Sequence, residues 1–390
     1  MRWPYKRTVL ALTTLAFFAT MAARMVISPV VPQIRADFGV SNTVVGVALT
    51  GLWMSYFLSQ FPSGVLADRY GERPVILLSL GGTALASLAL ALSPVFGVFV
   101  VATLALGALA GLHYSVGTTL LTRTYDDVGK AIGVHTAGGP IAGLAVPGVA
   151  AWVGVRYGWE PAIAIGAVVA GIVFVLFARF VQPTEPQRPA QPMRERFEGG
   201  PLLELLRRPP IAFAIGVSIL SAFVWQATAS FLPTFLHEFR GYPEPVAGGV
   251  FAAYFLVQGV ASPLVGTASD RYGRDETTAI SLAIAALGFV ALVAVPGWLA
   301  TGFAVVTLGV GLSWSAAFLP RFFDVFTPEE EGAGFGFVRT VYGMLGALGS
   351  VGTGLLADAF GWGVAFGVLT ALLVTVCAAL LGNRAVGGRY

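Results

Sequence analysis

Twelve stretches of this chain are long and apolar enough to cross a lipid bilayer, and no other feature restricts the backbone as much. A hydrocarbon core of about 30 Å takes about 20 helical residues. Runs of that order lie near 8–30, 43–66, 74–94, 96–121, 130–154 and 160–181, then near 210–236, 245–268, 277–296, 298–320, 333–357 and 362–382. Lipid cannot satisfy exposed backbone groups, and these runs lack the alternation of barrel strands, so each is expected to be a helix. The first run continues past Arg24 to about Val31, too far for a cleaved secretory leader, and reads as the first membrane helix. Only 11% of the 390 residues are charged, under half the fraction of about 25% typical of soluble domains. The expected fold class is therefore all-α integral membrane.

The chain also repeats itself. Gly64-Val-Leu-Ala-Asp68-Arg69-Tyr70-Gly71-Glu72-Arg73 is echoed 202 residues later by Gly266-Thr-Ala-Ser-Asp270-Arg271-Tyr272-Gly273-Arg274, and Gly158-Trp159 returns as Gly361-Trp362. Two copies of one six-run unit predict two pseudo-symmetric six-helix bundles, 1–181 and 209–390, joined by a linker over 182–208. Placing the N-terminus in the cytoplasm puts eighteen Lys and Arg residues in inner loops and only Arg35, Arg156 and Arg240 in outer ones. By the positive-inside rule both termini are then cytoplasmic, in a multi-pass protein expected in the plasma membrane.

Gly-x-x-x-Asp-Arg-x-Gly-x-Arg between the second and third helices, repeated in the second half, resembles the signature loop of the major facilitator superfamily of transporters. The resemblance covers essentially the whole chain. It implies alternating access, with Gly64, Asp68, Arg69, Gly71, Arg73, Asp270, Arg271, Gly273 and Arg274 as gating residues; a topological anchoring role for the arginines is the other reading. Glu72 departs from the family pattern, which usually has a basic residue there. The glycine-rich antiporter motif of the fifth helix is degraded around Pro147, and the arginine of many proton-driven drug exporters aligns with Thr103. Both departures argue against drug/proton antiport.

Between the halves, prolines at 183, 186, 189 and 192 have the period of a polyproline II spacer. Pro201-Leu-Leu-Glu-Leu-Leu-Arg-Arg reads as a short surface helix with its leucines toward lipid, or as part of a plain polar tether. Gly133, Gly138, Gly139 and Gly143 in the fifth run, and Gly343, Gly346, Gly349 and Gly352 in the eleventh, allow close helix approach. They mark either the place where the halves rock or ordinary tight packing within one half.

Chemistry has few carriers at membrane depth. All twenty Asp and Glu residues map to loops, termini or run ends, whereas Arg24 and Arg339 enter the apolar runs. A mid-bilayer arginine costs about 2.5–3.5 kcal/mol on insertion scales, so each must snorkel, line water or meet an anion. Arg24 lies about 24 Å along its helix and leans back toward the midplane; Arg339 lies about 10 Å from the cytoplasmic end and leans toward the cytoplasm. Ala23-Arg24 through Pro29, with Tyr56-Phe-Leu-Ser-Gln60, resembles the organic-anion branch of the superfamily, the anion:cation symporters. That resemblance implies that Arg24 meets a substrate carboxylate. The branch often has an acidic residue just before this arginine, and here it is Ala23, which separates the anion site from that route of proton coupling.

Polar positions recur between halves. Tyr56 and Gln60 are mirrored by Tyr254 and Gln258, His113-Tyr114 by Ser313-Trp314, and Arg24 by Trp225-Gln226. Tyr and Gln four apart share a helix face, as a cavity wall built from both halves requires, although packing and membrane-belt roles fit single aromatics too. The candidate substrate-binding set is Arg24, Tyr56, Gln60, His113, Tyr114, Trp225, Gln226, Tyr254, Gln258, Trp314 and Arg339. His113 and His135 are candidate proton carriers, or buried neutral rings.

The expected function is a secondary active or facilitative transporter of a small organic anion. A multidrug or metabolite exporter of the same superfamily is the alternative, and a transporter-like solute receptor a further one. No nucleotide-binding loop or nucleophile constellation suggests an enzyme or pump. No cofactor or metal site is expected. Cys377 alone allows no internal disulfide, and a net charge of +3 spread over loops gives no face for nucleic acid. The expected partners are the substrate, lipid and a co-transported proton or sodium, with a monomeric protein. Uptake of a monoanion against an inside-negative potential costs about 2.3 kcal/mol per 100 mV, so it needs that cation, whereas export does not.

Overall fold

The structure, a computed structural model, describes residues 5–187, 189, 204–327, 330–385 and 387. Every regular element among them is a helix. The first span runs over Tyr5–Phe38 as α1 (Tyr5–Met25), a 3-10 turn at Ser28–Val30 and α2 (Val31–Phe38). It is longer than the apolar run because Pro29 and Pro32 each sit in the first turn of the segment that follows, where no N–H is needed. The helix stops after Met25 and restarts at Val31.

Next come α3 (Asn42–Tyr70), α4 (Glu72–Ala91), α5 (Phe96–Thr124), α6 (Val128–Thr136), α7 (Gly138–Tyr157) and α8 (Trp159–Phe180). After the linker follow α9 (Pro209–Glu238), α10 (Glu244–Tyr272), α11 (Arg274–Ala294), α12 (Trp298–Gly311), α13 (Trp314–Phe318) and α14 (Pro320–Phe323). The last are α15 (Glu331–Gly346), α16 (Leu348–Phe360) and α17 (Trp362–Ala385). Among the described residues eleven spans are long and apolar enough to cross a membrane, and α3 makes a twelfth, bent by 43° between Gln60 and Pro62. Pro62 lacks the N–H that would continue the ladder, which accounts for the bend.

The chain packs as two compact units. One comprises Met1–Gly39, Gly51–Phe197 and Glu244–Gly248; the other comprises Val40–Thr50, Glu198–Pro243 and Gly249–Tyr390. In the first, a core of Val9, Leu12, Ile76, Leu80, Leu112, Val116, Val173 and Phe177 joins α1, α4, α5 and α8. In the second, Phe366 stacks on Phe235 at 3.9 Å and meets Phe289 edge-on at 5.7 Å. Large apolar side chains such as Leu85, Val101, Val175 and Leu299 point outward, as lipid-facing positions should. Since lipid tails are as apolar as leucine, close packing rather than the hydrophobic effect holds such helices together.

Glycines supply that close packing. A side-chain carbon on Gly349 would lie 2.1 Å from the Phe223 carbonyl oxygen, and one on Gly346 2.6 Å from Ala222 Cβ, so α9 lies directly on the eleventh span. Gly138 likewise closes α7 on Thr14 of α1. These positions pack tightly within one unit. The repeated Gly-Trp landmark is also explained. Trp159 donates its indole N–H to Asp37 at 3.2 Å, and Trp362 donates to Glu238 at 2.8 Å. In each copy the last helix of the half is pinned to the end of its first.

The signature loops are held by local bonds. Gly71 turns the chain at φ +88°, with the Thr184 carbonyl 2.4 Å from where a Cβ would be. Arg73 donates from Nε to the Val181 carbonyl and from Nη2 to that of Ala178, both at 2.7 Å, capping α8. Glu72, buried, pairs with Arg123 at 2.5 Å. In the second copy Arg274 bonds Asp270 and reaches Asp324 at 3.4 Å, while Arg321 pairs with Asp275 at 2.9 Å.

The linker reading needs correction at one point. Of the four leucines expected to face lipid, Leu202 and Leu203 lie outside the described residues and Leu206 is half-buried, but Leu205 is buried and packs against Gly334. Beside it Arg208 forms a two-pronged pair with Glu330, at 3.0 and 2.6 Å. That pair draws the end of the linker onto protein instead of lipid. Much of the proline-periodic stretch, including 188 and 190–192, also falls outside the described residues.

Candidate functional site

Arg24 occupies the last turn of α1, just before the break at Ser28–Val30, and is 3% exposed. Its Nε donates to the Thr20 carbonyl at 3.0 Å. Its guanidinium carbon stands 3.9 Å from the centre of the Tyr56 ring and 4.8 Å from that of Trp53. Both rings are themselves buried and meet edge-to-face at 5.8 Å. The cation is thus held against two aromatic faces, an arrangement worth about 0.5–2 kcal/mol and better suited to a flat guanidinium than to an ammonium.

The walls of this site are set by small residues. Gly111 of α5 closes on α3 so tightly that a Cβ would fall 2.2 Å from the Tyr56 carbonyl oxygen, and Gly107 does the same one turn away at Leu52. These contacts fix the height of Tyr56 and Trp53. On the other side a Cβ on Gly166 of α8 would come within 2.8 Å of Ala23 Cα. That contact gives a physical reason for alanine at 23: α8 covers the position, so a carboxylate side chain has no room beside Arg24.

One face of α1 carries Thr13, Phe17, Thr20 and Arg24, all buried. Phe17 and the two histidines form a triangle, with Phe17 6.3 Å from the His113 ring and 5.2 Å from that of His135, and the histidine rings 5.4 Å apart. Both are 0% exposed. Tyr114 joins the same cluster, 5.4 Å from Phe17 and 6.2 Å from His135. The first unit therefore gathers Arg24, Tyr56, His113, Tyr114 and His135 around one helix face. Gln60, 6% exposed, lies one turn beyond Tyr56 on α3 and uses its backbone carbonyl to accept from Ser63 at 2.6 Å.

In the second unit the mirrored residues are engaged differently. Gln258 donates from Nε2 to the Tyr254 hydroxyl at 3.0 Å and to the Leu312 carbonyl at 2.9 Å, the carbonyl freed where α12 stops. Trp225 also hydrogen-bonds Tyr254. Gln226 is buried, and Trp314 faces Tyr342 at 6.3 Å. Arg339 is half-buried on α15. Here Tyr254 and Gln258 bridge a helix break, whereas Tyr56 lies under a cation.

Trp53, Phe17, Thr20 and Tyr342 were not singled out from the sequence. Trp53 could have been found, since 53, 56 and 60 share one helix face. Phe17 and Thr20 stand seven and four residues before Arg24, again on one face.

A family model described as Major Facilitator Superfamily matches residues 13–253 and 241–387. The chain is 27% identical over 293 residues, 71% of its length and 70% of the relative's, to the multidrug resistance protein MdtG of Salmonella arizonae. It is 27% identical over 387 residues, 89% of its length and 83% of the relative's, to the probable nitrate/nitrite antiporter NarK1 of Thermus thermophilus. Among solved structures it resembles a bacterial homologue of the human lysosomal transporter Spinster, inward-facing and unoccupied, with a TM-score of 0.80, 16% identity and 98% of both chains covered. With the twelve-helix fold, the repeated signature loops and a family match across nearly the whole sequence in hand, the chain belongs to the major facilitator superfamily of transporters.

Proposed function

We propose that this transporter carries a small organic anion by alternating access and that Arg24 is its principal ligand. The observation that carries the reading is the buried Arg24 guanidinium clamped 3.9 Å from the Tyr56 ring. Its stem is fixed by the bond to Thr20 and its face by the two aromatics. An arginine held this way offers a planar fork that a carboxylate meets with two charge-assisted hydrogen bonds, which lysine cannot reproduce. The side chains charged at neutral pH that the sequence puts at membrane depth are Arg24 and Arg339, so the interior is cationic in character. One relative is named a probable nitrate/nitrite antiporter, and nitrate and nitrite are anions.

The second reading is a multidrug exporter, favoured by the likeness to MdtG. Equilibrium binding across a panel of carboxylates, nitrate, neutral sugars and lipophilic cations separates the two. Carboxylate binding that Arg24→Lys weakens by more than about 1 kcal/mol, the value of one ordinary hydrogen bond, supports the proposal. Binding of lipophilic cations alone, or an unchanged affinity in Arg24→Ala, overturns it. In the same scheme the termini are cytoplasmic, the protein sits in the plasma membrane, and Asp68 gates the cytoplasmic side. Asp68→Asn then slows turnover much more than it weakens binding.

A further inference from the structure

The buried histidine pair has no role in the anion reading so far. We infer that His113 and His135 together form a single-proton site whose occupancy is linked to the charge of Arg24. This deepens the organic-anion reading by naming the co-transported cation, and it rests on that reading for its biological meaning only.

The geometry is that of a closed chamber. Among the described residues none of the four ring nitrogens has a hydrogen-bond partner. The Thr13 backbone acts on both rings without meeting hydrogen-bond geometry. Phe17 contacts both rings, and Gly139 of α7 closes on Phe17, leaving 3.0 Å between a Cβ there and the ring. Gly117 closes on His113 in the same way, at 3.0 Å from Cε1. Two imidazoles buried without partners cost stability that apolar side chains of the same shape would not, and imidazole is the side chain that exchanges a proton near neutral pH.

Two charges do not fit. With ring centroids 5.4 Å apart, a proton on one imidazole opposes a second on the other, so the pair titrates as a unit and holds one. The charged group on the same face of α1 is Arg24, about 10 Å and two turns along the helix from Phe17; after burial, His135 and the Thr13 backbone, it acts electrostatically on His113. From α3 the titratable group on this side is Tyr56, beneath Arg24. From α5 it is Tyr114. On α6, Lys130 is exposed and more than one turn from His135. On α4, Glu72 and Arg73 belong to the cytoplasmic end beside Arg123 and α8. On α7 the titratable groups are Arg156 and Tyr157, at its far end.

Arg24 is therefore the switch. Its positive charge repels a proton from the pair, and an anion bound to the guanidinium cancels that repulsion. Anion binding then favours proton binding and the reverse holds equally. One anion with one proton is electrically neutral, so uptake no longer works against an inside-negative potential.

The test needs no substrate. The chain has three histidines. In full-length protein carrying His237→Asn, labelled with 13C-histidine and held in micelles, NMR reports His113 and His135 alone as pH is varied. Arg24→Gln, which removes the charge as a bound anion would, should shift the midpoint of one shared one-proton step alkaline, by about tenfold in proton affinity. Arg24→Lys should leave it near the parent value, and Arg24→Met serves where the Gln variant does not fold. An equal midpoint with and without the charge at 24, two independent one-proton steps, or rings that stay neutral in the charge-removed variants would overturn the inference. None of these outcomes depends on what the anion is, so the anion reading can fail separately in the binding panel.

Discussion

Glu72 is 1% exposed and accepts a hydrogen bond from Arg123 at 2.5 Å. The superfamily usually has a basic residue at this place in the loop, and the pair shows why this chain does not: the side chain points at an arginine from the end of α5. Removing the carboxylate takes away the buried partner of Arg123. Breaking a buried pair costs about 3–5 kcal/mol. Arg123 is 39% exposed, so about 1–3 kcal/mol is the expected loss for Glu72→Ala. Glu72→Arg sets two guanidiniums together and should be worse. Thermal unfolding in detergent measures both, and an unchanged melting temperature for Glu72→Arg contradicts the role given to the pair.

The clamp between Arg208 and Glu330 should respond to acid. The hydrogen bonds from Arg208, then that from the Thr327 backbone, hold the Glu330 carboxyl below its ordinary value of 4.5. Because the folded value is the lower one, the clamp's contribution is fully present above about 4.5. It is lost as pH falls through the depressed value. Hydrogen exchange of the backbone around 330–334 should accelerate only in that acid window in the parent and be fast at neutral pH in Glu330→Gln. Equal protection in parent and variant at neutral pH removes the clamp. Both partners are solvent-accessible, so the pair is screened by salt.

Much of this could be read from the sequence, for physical reasons. Lipid forbids everything but helices for runs of that length, and a repeat of 202 residues forces two like halves, so the fold followed from apolar length and self-similarity alone. Arg24 was legible because charge is rare at membrane depth. Its clamp was not, because Trp53 and Tyr56 come from α3 and reach Arg24 only through the close approach that Gly107 and Gly111 permit. The same limit explains Leu205. A leucine-rich segment beside a membrane looks lipid-facing until the ion pair at Arg208 and Glu330 shows protein on that side. Tyr254 and Gln258 looked like copies of Tyr56 and Gln60 by spacing, but the stop of α12 near Leu312 gives them a carbonyl to satisfy.

Asp358, at the end of α16, illustrates a device with no sequence signature. Its Oδ1 accepts from the Asn42 backbone N–H at 3.1 Å and from Asn42 Nδ2 at 2.9 Å, while Oδ2 accepts from the Thr43 backbone N–H at 2.7 Å and its hydroxyl at 2.6 Å. The carboxylate thus caps the start of α3 from another helix of the same unit, where unpaired N–H groups and the helix dipole both favour an anion. Gly354 lies against the Asn42 carbonyl, with 2.5 Å left for a Cβ. Asp358→Ala should cost about 1 kcal/mol, in the range of a lost helix cap, and Gly354→Val should cost more by forcing the helices apart. Alkylation of a cysteine placed at Thr43, on a Cys377→Ala background, should quicken in both variants. Unaltered labelling rates would show that Asp358 does not hold this end.

The aromatic clamp separates binding from positioning. Tyr56 touches Arg24 through its ring face, so a phenylalanine keeps the contact and a leucine removes it. Tyr56→Phe should therefore bind the carboxylate identified by the panel as the parent does. Tyr56→Leu should bind it about 2- to 30-fold more weakly, the equivalent of the roughly 0.5–2 kcal/mol that such a contact supplies. A hydroxyl that itself meets the substrate predicts the other pattern, with Tyr56→Phe losing nearly as much as Tyr56→Leu. Combining Tyr56→Leu with Arg24→Ala settles the matter, because a residue acting only through Arg24 has nothing left to position once the guanidinium is gone. If the double variant binds more weakly than Arg24→Ala alone, Tyr56 contacts the substrate in its own right, and the site is larger than the arginine and its support.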